Sequence, residues 1–117
     1  MKTQGEIEGA ICQNMRRLQQ EFLGRGPRNV YAHLLDDIIL VRLKGVLTAV
    51  EVTLINSDRG KSLLKEVREE LMKTVRPLME KMVEEVANVA VIGLHHDIST
   101  SGDEVVLFTL ASAPCVR

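Results

Sequence analysis

The chain has 117 residues, 45% hydrophobic but only 3% aromatic, with no tryptophan. That length suits one domain spanning 1–117, with a core built from Leu, Val, Ile and Met. The 15 basic and 16 acidic residues leave a net charge of −1, without the basic surplus that nucleic-acid binders usually carry. Cys12 and Cys115 lack the spacing of a zinc motif and are too few for a disulfide framework, so reduced thiols in a cytoplasmic protein are expected. No apolar run approaches the ~20 residues that span a bilayer. The opening Met1–Glu6 lacks a secretory core, so direct membrane insertion is not expected.

Thr3 and Glu6 form a capping-box pattern. Ile7, Ile11, Met15, Leu18 and Phe22 follow at helical spacing, which predicts an amphipathic helix over 4–23. Gly24 suits a left-handed terminator and Pro27 prevents continuation. Residues 28–35 and 38–44 then read as a hairpin turning at Asp36-Asp37. In its second strand Ile39, Val41 and Leu43 alternate with Arg42 and Lys44, placing the charges on the opposite face. Thr48 and Glu51 repeat the capping box before a short helix over 48–56.

A longer helix starts at Asn56-Ser57-Asp58. Leu64, Val67, Leu71, Val75, Leu78, Met82 and Val86 define its expected apolar stripe, and Pro77 predicts a kink near Arg76-Pro77. Met72, Met79 and Met82 read as core or interface filler. Strands over 89–97 and 104–110 flank a polar turn, Ser99 to Asp103. The order α-β-β-α-α-β-β predicts an α+β fold, a four-stranded antiparallel sheet with helices packed on one face. The other face is then uncovered, so a homodimer formed through it or through the long helix is expected.

The densest polar chemistry lies in Leu94-His95-His96-Asp97-Ile98-Ser99-Thr100. On a strand His95 and Asp97 share one face and His96 takes the other. An imidazole–carboxylate pair is the material of a general base, but a strand end shaped by hydrogen bonds needs the same residues. Adjacent histidines diverge, so a metal would need His33 or a distant carboxylate. We assign no catalytic residue, no metal site and no cofactor. Gly24-Arg25-Gly26-Pro27 offers backbone amides and a guanidinium to an anion, without the lysine or Ser/Thr spacing of a P-loop. Arg42 and Lys44, with Arg25, Arg68 or Arg76, can be drawn together into a small-anion pocket, or can simply pair with carboxylates. Asp36-Asp37 and Ser99-Thr100-Ser101 are read as turn chemistry.

Four segments in order, Gly-Arg-Gly-Pro at 24–27, Asp-Asp-Ile-Ile-Leu-Val-Arg-Leu-Lys-Gly-Val-Leu-Thr at 36–48, Arg-Pro at 76–77 and Leu-His-His-Asp-Ile-Ser-Thr at 94–100, resemble the MpsC-like family of small bacterial proteins. The resemblance runs from about Gly5 to Leu110. It implies a soluble component of a sodium-translocating, membrane-potential-generating system linked to inorganic carbon uptake. Two departures stand out. The chain has Leu47-Thr48-Ala49-Val50-Glu51 where the family has Leu-Thr-Pro-Ala-Glu, and alanine also suits the first helical position. His96 replaces the threonine of Leu-His-Thr-Asp, leaving His95 and Asp97 as the shared pair.

The resemblance implies a non-enzymatic cytoplasmic accessory protein of that transport system, working through protein contacts with a membrane-transport subunit. Its expected surface combines Arg25, Gly26, Arg42, Lys44, Arg76, His95 and Asp97. The alternative is a sensor for a small anion or nucleotide at the arginine-rich turns. A third reading, less favoured, is an enzyme using His95 and Asp97.

Overall fold

Two capping boxes start the first two helices of the computed structural model, which describes residues 1–117. Thr3 opens α1 (Gln4–Leu23) and Thr48 opens α2 (Ala49–Leu54). In each, the threonine hydroxyl accepts from the third helical amide while the glutamate there accepts from the threonine amide. Gly24 closes α1 in the left-handed conformation at φ 79°. Between these helices lie β1 (Asn29–Leu35) and β2 (Ile38–Lys44), joined by the two-residue turn at Asp36-Asp37. Then follow α3 (Asp58–Ala87), β3 (Val91–Ile98) and β4 (Asp103–Leu110).

The order is α-β-β-α-α-β-β, and the four strands form one antiparallel sheet in the order β1-β2-β4-β3. The two hairpins meet through β2 and β4, with Leu40 opposite Leu107 and Lys44 opposite Asp103. Packing is one-sided. α1 lies on β1, α3 on β3, and the two helices touch each other over the same sheet face. That face supplies Ile39, Val41, Leu43, Val106, Phe108 and Leu110 to a single core of 22 buried apolar residues. Phe108 is fully buried there, a burial worth roughly 1.5–3 kcal/mol.

The stripe of α3 differs from the sequence reading. Leu64, Met72, Val75, Met79, Met82 and Val83 are buried, whereas Val67 and Leu78 are exposed and Leu71 is half-buried. The inward line passes through Arg68, so following only aliphatic residues rotated the expected face. The methionines do serve as core. In α1 the inward line likewise runs Ile7, Ile11, Met15, Gln19, leaving Phe22 exposed. The helix α3 continues through Pro77 without interruption. It is about 45 Å long at 1.5 Å per residue, close to the 48 Å longest extent of the molecule. No helix is long and apolar enough to cross a membrane.

The corner between α2 and α3 is built on a glycine. A Cβ on Gly60 would stand 1.6 Å from the carbonyl oxygen of Leu54. Ser57 caps α3 at the same corner by accepting from the Gly60 amide at 2.9 Å. Gly60→Ala must therefore push α2 off α3. The expected result is a loss of about 2 kcal/mol or more, in the range of severe strain and overpacking, measured by urea unfolding. Gly5→Ala, where nothing lies within 4 Å of the added carbon, is the control and is expected to be neutral or slightly stabilising.

Candidate functional site: the open sheet face

Side-chain alternation sends half of each strand away from the helices. On β2 these are Ile38, Leu40, Arg42 and Lys44, and their β4 partners are Thr109, Leu107, Val105 and Asp103. The outer strands continue the rows. Tyr31, Arg42, Val105 and Asp97 form one row, and His33, Leu40, Leu107 and His95 form the next. The face thus has an aliphatic centre with a histidine on each outer strand. Its exposed apolar residues include Leu35 at 53%, Tyr31 at 44% and Val105 at 41% of their surface. Arg42 sits over the Tyr31 ring, 5.5 Å from its centroid, a cation–π contact that keeps the guanidinium on the face.

Four of the seven sequence-predicted residues, Arg42, Lys44, His95 and Asp97, share this face. Arg25 lies at its end, because its Nε donates to the Gly45 carbonyl at 3.3 Å just past β2. Gly45 itself is left-handed, at φ 69°, and an added Cβ would meet the Arg28 Cβ at 2.9 Å. Gly26 is half-buried beside the Arg16 and Gln20 side chains, not beside the sheet. Arg76 is elsewhere: it stands on α3, 3.5 Å from Glu80. The small-anion pocket drawn with Arg68 or Arg76 therefore does not assemble, since Arg68 is committed to the interior.

His95 and Asp97 are both exposed, about 6.8 Å apart along the strand, and neither is enclosed by a cleft of substrate size. A general base needs a substrate held against it and shielded from water, which an open face does not supply. His96 turns toward the helix layer, 3.9 Å from Glu69, with its Nδ1 buried and unpartnered. The crevice that it lines with Lys65, Arg68 and Asp97 holds only about 30 Å³, room for about one water. The largest cavity, about 590 Å³, lies under the chain ends beside Ile7 and Val86 and is lined by none of the predicted site residues. No group of three His, Cys, Asp or Glu side chains is placed to hold a metal ion.

Sequence reasoning missed one polar cluster, inside the core. Arg68, its side chain 3% exposed, donates twice to Glu51, Nη2 to Oε1 at 2.7 Å and Nε to Oε2 at 2.9 Å. Its Nη2 also donates to the Val46 carbonyl at 3.1 Å. Nearby, Gln19 Nε2 donates to Glu104 Oε1 at 3.3 Å, both residues almost fully buried. The signal was in the phase of the pattern: Gln19, Arg68 and Glu104 each occupy a position where the periodicity demands a core residue. For Glu51, burial favours the neutral form, but the Arg68 bonds and the Thr48 amide outweigh it and hold the carboxyl below its ordinary range. For Glu104, burial raises the pKa above its ordinary 4.5, and the Arg68 charge with the Gln19 bond offsets only part of the rise.

The sequence matches the family model described as "Na+-translocating membrane potential-generating system (MpsC)" over residues 3–112. The chain belongs to the MpsC family. It is also 30% identical over 112 residues to a Bacillus subtilis (strain 168) protein named "Uncharacterized protein YbcI", covering 95% of this chain and 90% of that one. No solved structure matches. The family assignment agrees with the four motif segments, three of which meet the sheet: 36–48 is its second strand with the flanking turns, 94–100 is the end of its third, and 24–27 approaches it through Arg25.

Two stability measurements probe the buried cluster. Removing the Glu51 carboxylate strands a buried guanidinium and removes one half of the α2 capping box, so Glu51→Ala is expected to cost about 3 kcal/mol or more in urea unfolding. For Glu104 the folded pKa is raised, so below the unfolded pKa both states are protonated and the group costs nothing. As pH rises past the ordinary 4.5, the unfolded state ionises first and folding stability falls until the folded pKa is passed. Glu104→Gln is therefore expected to raise the melting temperature at pH 7. That advantage should shrink as pH falls toward the ordinary carboxylate range, as a pH series of thermal melts will record.

Proposed function

We propose that this MpsC-family protein is a non-enzymatic accessory or regulatory component of a sodium-translocating membrane system, acting in the cytoplasm through protein contacts made by its open sheet face. The observation that carries the reading is the character of that face. It sets an aliphatic centre, Leu40 and Leu107, among Arg42, Lys44, Asp103 and Asp97. Apolar centres with polar rims are the anatomy of protein interfaces, and isolated exposed sheet faces of this kind are rarely left unpartnered.

An enzymatic role finds no support in this arrangement. His95 and Asp97 have no enclosing cleft, and the one crevice that reaches the polar motif, beside His96 and Asp97, holds only about 30 Å³. The family description supplies the system, and the face supplies the means of joining it. A rim of separated charges also steers association and selects partners more than it adds affinity, which suits a regulatory contact.

Affinity purification of the tagged chain from its native membranes in mild detergent tests the role. The expected outcome is recovery of a sodium-translocating membrane subunit, reduced about tenfold by Arg42→Glu with the melting temperature unchanged. Absence of any such subunit with the unmodified chain overturns the accessory role. Equal recovery with Arg42→Glu overturns the assignment of the contact to this face.

A further inference from the structure

We infer that the open sheet face is covered by a second copy of this chain, stacked face to face about a two-fold axis that runs parallel to the strands between β2 and β4. The inference rests on the reading of this face as a protein-contact surface and names its occupant in the chain away from membranes, a second copy that a membrane subunit displaces to use the same face. It follows from the arrangement of side chains in rows. A two-fold along the strands exchanges β2 with β4 and β1 with β3 while keeping each residue in its own row.

The consequences can be read from the register. Leu40 of one copy lands on Leu107 of the other, twice, forming the aliphatic centre of the interface. Lys44 lands on Asp103, again twice, giving two opposite-charge pairs across the interface. Arg42 lands on Val105 with Asp97 as its row neighbour, so that guanidinium also meets a carboxylate. The exposed Leu35 lands on Gly93, whose missing side chain leaves a dip bordered only by Thr109, 3.6 Å from where a Cβ would stand. Bulk meets space, and cation meets anion.

The competing two-fold, perpendicular to the strands, fails on the same rows. It would set Arg42 on Leu40 and Lys44 on Ile38, burying cations against aliphatic side chains without partners. The strand-parallel axis also matches how sheets pack in sandwiches, face to face about 10 Å apart with strands nearly aligned. Four strands and four rows span roughly 20 by 25 Å. That footprint, about 500 Å² before side-chain relief is counted, is the larger part of the ~800 Å² per partner of a standard interface. Each copy offers the same surface, as a closed two-fold contact requires.

Light scattering after size exclusion, on the purified full chain without membranes, tests the inference. The unmodified chain is expected to be a dimer at micromolar concentration. Leu107→Asp is expected to give a folded monomer by circular dichroism. The deciding experiment uses Lys44→Glu and Asp103→Lys as separate proteins. Each alone sets like charges on like across the two-fold, and its dimer is expected to weaken about tenfold or more. Mixed one to one, they restore opposite charges at both contacts, so a mixed dimer is expected to reform. Lys44 and Asp103 are also neighbours within one chain, but an intrachain role cannot produce rescue by mixing.

A chain that remains monomeric at high micromolar concentration overturns the inference. So does a dimer indifferent to Leu107→Asp, or a mixture that shows no rescue. None of these results touches the accessory role, which is read from recovery of a membrane subunit and fails separately.

Discussion

Both large helices pack on the same face of the sheet, and the functional argument depends on that one-sidedness. Strand alternation divides each strand into an inner and an outer set. With α1 and α3 together on one side, the inner sets of all four strands merge into a single core. The outer sets of all four strands are then displayed side by side. Arg42, Lys44, His95 and Asp97, scattered over more than fifty positions in sequence, become neighbours because register aligns them, not because any of them binds another. An apolar helix surface on each face would have buried the same charges without partners, at prohibitive desolvation cost.

The buried cluster around Arg68 follows from the same layering. Its ion pair with Glu51 joins α3 to α2, and its bond to Val46 ties both to the segment leaving β2. Glu51 thus has two tasks, capping its own helix and neutralising a guanidinium inside the core. Such a pair adds little net stability compared with well-packed apolar groups, yet it tolerates no half-measures, because either partner alone is a buried charge. It acts as a geometric lock on the α2–α3 corner, where Gly60 already brings the two backbones together.

Much of this was legible from local patterns. Both capping boxes, the left-handed Gly24, the Asp36-Asp37 turn and the outward placement of Arg42 and Lys44 are short-range features, and the structure contains each of them. The opposed faces of His95 and His96 were also readable, since strand alternation needs no tertiary information. The aliphatic stripe through Val67 and Leu78 does not coincide with the buried face of α3, because hydrophobicity alone does not decide burial. A charged residue with a bidentate partner can hold a core position just as well, and that partner, Glu51, lies 17 residues away. The Arg-Pro motif and its charge suggest Arg76 for the site, but neither carries a direction, and the side chain stands beside Glu80 on α3.

By itself the sequence determined the elements, their order and the two hairpins, because caps, turns and periodicities act over a few residues. The four motifs also sufficed to point to the MpsC family. Only the tertiary structure decided that the hairpins join through β2 and β4, because strand pairing between distant segments depends on which faces can be buried together. That one pairing set Leu40 beside Leu107 and Lys44 beside Asp103. It thereby turned four separate strands into a surface with a centre, a rim and a symmetry of its own.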